Sequence, residues 1–176
     1  MTGDGGALKR GWQAIRCAAL ALALASTIGT ALATALGDAA PPFALRDGQG
    51  GTVALAALRG QVVYVDFWAS WCGPCRRSFP WMNDMLRRYG ARGLTIVAVN
   101  VDKNRADAAR FLERTPAQFT VVYDQDGATP LTYAVQGMPS SYLIDARGKI
   151  VDIEQGFHDD RKAALEQRIR ALLAAR

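Results

Sequence analysis

Histidine and cysteine are scarce in this 176-residue chain, which has one histidine, His158, and three cysteines, Cys17, Cys72 and Cys75. Cys17 follows Arg16 rather than the small residues a lipid-attachment site needs, so it reads as a small apolar residue. Cys72, Cys75 and His158 fall one short of the four ligands of a structural zinc site, and no metal is expected. A P-x-x-x-[T/S]-x-x-C loop is also missing, since Val65 and Ala69 stand seven and three residues before Cys72. That removes the reactive loop of a thiol peroxidase. There is no internal repeat, and no low-complexity segment after residue 40. The net charge of +5 is mild, and Lys9, Arg10 and Arg16 near the N-terminus supply part of it. The rest is evenly mixed along the chain, which argues against nucleic acid and leaves a weak attraction to acidic surfaces.

Hydrophobic residues make up 50% of the chain and charged ones 21%, enough for a packed core. The length suits one domain with an appendage, and the appendage is N-terminal. Three positive charges precede an uncharged run from Cys17 to Gly37 that opens with "AALALALA" and offers A-x-A patterns at Ala31–Ala33 and Ala33–Ala35. This is the layout of an export signal. An uncleaved anchor is the other reading, because the 21 residues of that run would reach about 31 Å as a helix, close to one hydrocarbon core. Either way, residues 1–37 read as an export signal or membrane anchor, with membrane association through 17–37. Residues 38–176 read as the folded domain, beyond the membrane.

"DAAPPF", Asp38 to Phe43, reads as a linker stiffened by proline. Strands on either side of "DGQGG" suggest a hairpin. "QVVYVDFWA" and "LTIVAVNV" are continuous apolar runs, the pattern of strands buried on both faces. Between them Phe79, Met82, Met85, Leu86 and Tyr89 recur at helical spacing, with Pro80 set to kink the helix. A helix over "RADAARFLERT" follows, then the strand "FTVVYD" and a brief helix from Thr129. "SYLID" and "KIVDIEQ" pair across "ARG", and a last helix from about Asp159 turns Ala164, Leu165, Ile169, Leu172 and Leu173 inward. This order predicts an α/β fold with a mostly parallel sheet, helices on both faces and an antiparallel edge.

The chemistry concentrates in "WASWCGPC", Trp68 to Cys75. A disulfide enclosing two residues gains little from loop closure, so a structural staple is a poor reading. A C-x-x-C pair in a βαβ setting fits reversible redox chemistry instead. Cys72 is expected at a helix N-terminus, where free amides and the helix dipole favour a thiolate. Cys75, further in, should stay shielded and protonated, and Pro74 suits the first turn. Trp71 either shields the sulfur or is a plain rim aromatic. Asp66 interrupts an apolar strand two residues before Trp68; buried under Cys75 it could take that thiol's proton, or it could be structural.

"VDFWASWCGPC", with Pro80 eight residues after Cys72, resembles the active-site strand, turn and kinked helix of the thioredoxin superfamily. The leader, the added hairpin, "LRGQVVYVDFW", "VNVDKNRADAARFL" and "GMPSSYLIDARGKIV" are more specifically similar to exported TlpA/ResA-like thiol-disulfide oxidoreductases, over about residues 40–176. The resemblance implies a thioredoxin-like fold, a central mixed sheet flanked by helices with an added N-terminal β-hairpin. It implies a redox-active disulfide Cys72–Cys75, with Cys72 attacking, Cys75 resolving and Asp66 as base. It also implies a cis bond at Met138-Pro139, placing Trp71, Gly73, Pro74, Met138 and Pro139 on the substrate-binding surface. Gly-Pro between the cysteines resembles thioredoxin, reducing at about −270 mV against about −120 mV for the oxidant DsbA, so a protein disulfide reductase is expected.

Implied partners are disulfide-containing exported proteins and a membrane electron donor, with the domain periplasmic or extracytoplasmic; no cofactor is expected. Many such proteins carry a glutamate three residues after the second cysteine. Ser78 stands there instead, so the family's link to cytochrome c biogenesis carries over only in part. Arg76 and Arg77 read as solvated helix charges, and His158 as remote from the sulfurs. A copper-carrying assembly factor of related fold would want wider cysteine spacing and a nearby histidine ligand.

Overall fold

The computed structural model describes residues 34–176. Residues 1–33 lie outside that range, with Cys17, the first A-x-A pattern and nearly all of the expected leader. Among the described residues no helix is long and apolar enough to cross a membrane.

The elements in chain order are β1 (Ala44–Asp47), β2 (Thr52–Ala54), β3 (Val62–Trp68), α1 (Cys75–Tyr89), β4 (Leu94–Asn100) and α2 (Arg105–Arg114). They continue with β5 (Thr120–Tyr123), α3 (Ala128–Thr132), β6 (Ser140–Ile144), β7 (Ile150–Gln155) and α4 (Lys162–Ala174). One seven-stranded sheet runs β2-β1-β5-β4-β3-β6-β7. Only β3–β4 and β4–β5 pair in parallel; β1–β2, β1–β5, β3–β6 and β6–β7 are antiparallel. The sheet is therefore mixed, as the resemblance implied, and less parallel than the order of elements suggested. Helical crossovers between parallel strands join β3 to β4 and β4 to β5, α3 lies on the connection that carries the chain from β5 across to antiparallel β6, and hairpins occupy both ends.

Every residue of β3 is buried, because it lies between β4 and β6 with core on both faces. Tyr64 and Trp68 point to one side, joining Phe79 and Met82 of α1, Phe111 of α2 and Ile169 of α4. Val63, Val65 and Phe67 point to the other, with Tyr133, Tyr142, Leu55 and Phe43. In the first layer Phe79 has ring centroids 5.0 Å from Trp68 and 5.1 Å from both Phe111 and Phe119. Of the residues expected on the inner face of the last helix, Leu165 and Ile169 are buried while Ala164 is exposed.

Local signals set the boundaries. Asn104 caps α2, its side-chain oxygen accepting from the Ala106 amide at 3.0 Å. Asp124 accepts from the amides of Gly127 and Thr129 and so starts α3. In the β6–β7 turn Asp145 accepts from Arg147 and Lys149, and Gly148 takes φ +81°, a conformation glycine adopts without strain. The segment read as a linker is tied down: the Gly37 amide bonds the Ile150 carbonyl, Ile150 returns a bond to Asp38, and Ala40 bonds Gly148. The Tyr133 hydroxyl then donates to the Pro41 carbonyl at 2.8 Å.

Phe79, fully buried at the centre of the aromatic layer, gives the first prediction. Phe79→Ala should lower unfolding free energy by about 3–5 kcal/mol, measured by urea denaturation of the oxidised protein. A loss under about 1 kcal/mol would mean that the layer closes over the gap.

Candidate active site

β3 delivers the chain to the C-terminal edge of the central strands, where it must turn into α1. The Val101 amide bonds the Trp68 carbonyl, and the Cys72 amide bonds Ala69. Asp102, buried just beyond β4, accepts from the Ser70 amide and the Ser70 hydroxyl, both at 2.9 Å. Asn100, also buried, donates to the same carboxylate at 2.8 Å. This clamp escaped the sequence reading; its only trace was a pair of polar residues closing an otherwise apolar strand.

A disulfide joins Cys72 to Cys75. Cys75, rather than Cys72, opens the helix, with Pro74 as its cap. Cys72 nevertheless meets the helix end, because the Cys75 amide donates to its sulfur at 3.3 Å. Cys72 is 3% exposed and Cys75 fully buried. Ser78, also buried, donates its hydroxyl to the Cys75 carbonyl at 3.1 Å.

Asp66 shares a face of β3 with Tyr64 and Trp68, the layer that holds both cysteines. It is 1% exposed, and its Oδ2 has no hydrogen-bond partner. Burial alone pushes this carboxyl well above the usual carboxylate range, because removal from water penalises the ionised form. The nearby Tyr64 phenol is likewise raised, first by burial and then by Asp66.

The bond between Met138 and Pro139 is cis. Pro139 is buried and its carbonyl accepts from the Gly156 amide at 2.8 Å. Met138 packs against both core layers, and among the described residues neither of its backbone groups is hydrogen-bonded within the chain. Trp71 is 70% exposed, with most of its ring in solvent. Gly73 and Pro74 are exposed beside it, and a Cβ added at Gly73 would touch nothing. Arg76 and Arg77 are exposed as well. His158 rests on the Gln155 carbonyl at 3.1 Å, between β7 and α4.

A disulfide between closely spaced cysteines, placed where a buried strand meets a helix in this sheet order, defines a thiol-disulfide oxidoreductase of the thioredoxin superfamily. Within that class the chain belongs to the Redoxin family, which matches residues 35–169. It is 37% identical over 124 residues to thiol-disulfide oxidoreductase ResA of Geobacillus thermodenitrificans, covering 70% of this chain and 71% of that protein. The ResA of Bacillus subtilis is 35% identical over 120 residues, 68% of this chain and 67% of its own length. Among solved structures, a Chlorobium tepidum protein assigned as thiol:disulfide interchange protein DsbE superposes with a TM-score of 0.77 and 52% identity, over 80% of this chain and 99% of that one. The thioredoxin domain of a Bacteroides vulgatus thiol-disulfide oxidoreductase gives 0.71 and 28%, over 78% and 99%.

The raised Asp66 carboxyl makes stability depend on pH. The folded-state value lies above the roughly 3.9 of an unfolded aspartate. Its contribution is therefore complete below about pH 4 and is lost as pH rises through the folded-state value, by at most about 1.4 kcal/mol per pH unit. In Asp66→Asn that fall should vanish. Unfolding curves for the two oxidised proteins from acid to alkaline pH check this, and parallel profiles would refute it.

Proposed function

We propose that this protein is an exported protein disulfide reductase, with Cys72 as attacking thiolate, Cys75 as resolving thiol and Asp66 as the base that serves Cys75. The carrying observation is the Cys75 amide aimed at the Cys72 sulfur at the head of α1. In the reduced protein that amide and the helix dipole favour a thiolate at Cys72.

Cys72 thiolate attacks one sulfur of a partner disulfide, and the other partner sulfur leaves as a thiolate that takes a proton from water. Cys75 then gives its proton to Asp66 and attacks the Cys72 sulfur. The Cys72–Cys75 disulfide forms, and the partner's second sulfur departs reduced. Two electrons pass from the protein dithiol to the partner disulfide, so a second dithiol must recharge the protein. A membrane-linked donor fills that role in an oxidising compartment. Exposed Trp71, Gly73 and Pro74, with the free backbone of Met138 beside buried Pro139, form the surface on which an extended partner segment lies.

Residues 1–37 carry the domain, 38–176, across the membrane as a cleaved signal or an anchor, placing it in the periplasm or its equivalent. The basic start and the uncharged run from Cys17 support this. The likeness to proteins named thiol-disulfide oxidoreductase ResA and thiol:disulfide interchange protein DsbE supports disulfide exchange, and the Gly-Pro between the cysteines supports the reductive direction.

Cys75→Ser, expressed in the native host, should retain partners as mixed disulfides at Cys72 that release on adding dithiothreitol. Cys72→Ser should retain none. In the reduced wild type the Cys72 thiol should titrate below the roughly 8.5 of a free cysteine. An ordinary thiol with no trapped partner would overturn the assignment. A wild-type pair found oxidised in the cell and passing disulfides to partner thiols would reverse its direction.

A further inference from the structure

We propose that the proton exchanged at Asp66 travels sideways across the sheet, through the hydroxyls of Ser141 and Tyr64, to solvent at a small cleft beside Glu154. The inference rests on the reading of Asp66 as the base for Cys75. It answers a problem set by burial. The base is 1% exposed, Cys75 in the same layer is fully buried, and a docked partner covers Cys72, itself only 3% exposed. A proton taken at Asp66 needs another way out before the next cycle.

The strand register supplies one. Asp66 on β3 pairs directly with Ser141 on β6, and Ser141 pairs directly with Glu154 on β7. Directly opposed residues on antiparallel strands hold their Cβ atoms about 4.5–5.5 Å apart on one face. A polar row thus leads from the buried carboxylate to the margin of the sheet, through a layer whose next β6 residue on that face, Leu143, is apolar. Tyr64 flanks the row two residues before Asp66. The Ser141 hydroxyl at its side opposes the rise that burial and Asp66 impose on the phenol.

The row ends at an opening. Tyr64, Ser141 and Glu154 line a cleft with His158, Arg161 and Lys162, and its volume of about 10 Å³ is close to what one water requires. Arg161 donates to Glu154 at 2.8 and 2.5 Å and keeps the outer end polar. The titratable and charged groups around the route are Glu154 and Asp152 of β7, His158 and Arg161 before α4, and Lys162 on α4, with Asp152 paired to Arg168. From α1 the titratable side chains in the shared layer are Cys75 and Tyr89, with Cys72 just before the helix.

A hydroxyl can accept one proton on its oxygen while giving up its own. Ser141 turns its hydroxyl onto the unpartnered Oδ2 of Asp66, which passes it the Cys75 proton as Ser141 passes its own to Tyr64 and Tyr64 delivers one to water in the cleft. One proton leaves, no electrons move, and both hydroxyls end neutral. Ser141 and Tyr64 act through Asp66 and are positioning residues.

The test follows resolution of the mixed disulfide by stopped flow in the full-length reduced protein, using oxidised glutathione in water and in deuterium oxide. Ser141→Ala and Tyr64→Phe should each slow resolution about tenfold, short of the roughly 10²-fold cost of losing the base in Asp66→Asn. Both should raise the solvent isotope effect and leave the reduction potential of the pair unchanged. Ser141→Thr, which keeps the hydroxyl, should restore the wild-type rate. Wild-type rates and isotope effects in Ser141→Ala and Tyr64→Phe, with Asp66→Asn slow, overturn the route while the base reading stands. A wild-type rate in Asp66→Asn overturns both.

Discussion

The burial of β3 on both faces is the constraint from which the site follows. A strand enclosed by β4 and β6, with an aromatic layer on one side and an aliphatic and tyrosine layer on the other, has no freedom to shift or tilt. The side chain at each position is assigned to a layer by alternation alone, and a one-residue slip would exchange every one of them. Trp68 closes the strand inside the aromatic layer, and the next residues turn under the hold of Asp102. The disulfide is thereby set at a fixed height on the molecule before the helix begins.

The same burial creates the electrostatic character of the site. A carboxyl with an unpartnered oxygen in the core is costly to ionise, and a helix-end amide on a nearby sulfur favours negative charge there. Burial holds the proton on the carboxyl, and in the same layer the helix-end amide aimed at the Cys72 sulfur would favour negative charge there once the disulfide is open.

The main elements and the disulfide motif could be read from the chain because they rest on local patterns. Continuous apolar runs marked β3 and β4, helical spacing marked α1, and the short C-x-x-C loop left few structural uses for its cysteines. Element order overstates the parallel character of the sheet, since pairing direction depends on which strands meet and not on their order in the chain. Asp102 and Ser70, 32 residues apart, and Ser141 and Glu154, brought opposite Asp66 by register, depend on the folded topology. No periodicity within one segment could bring them together. Trp71 was open to two readings, and exposure settles where the ring lies.

The cysteines are separated by three positions, with Cα atoms 5.4 Å apart, in a turn anchored below by Asp102 and behind by α1. Opening so small a ring frees almost no chain, and the scaffold on either side has other supports. Opening the disulfide therefore calls for little rearrangement of the outline. A carrier built this way would offer a partner the chemistry of its sulfurs, rather than its outline, as the mark of its redox state.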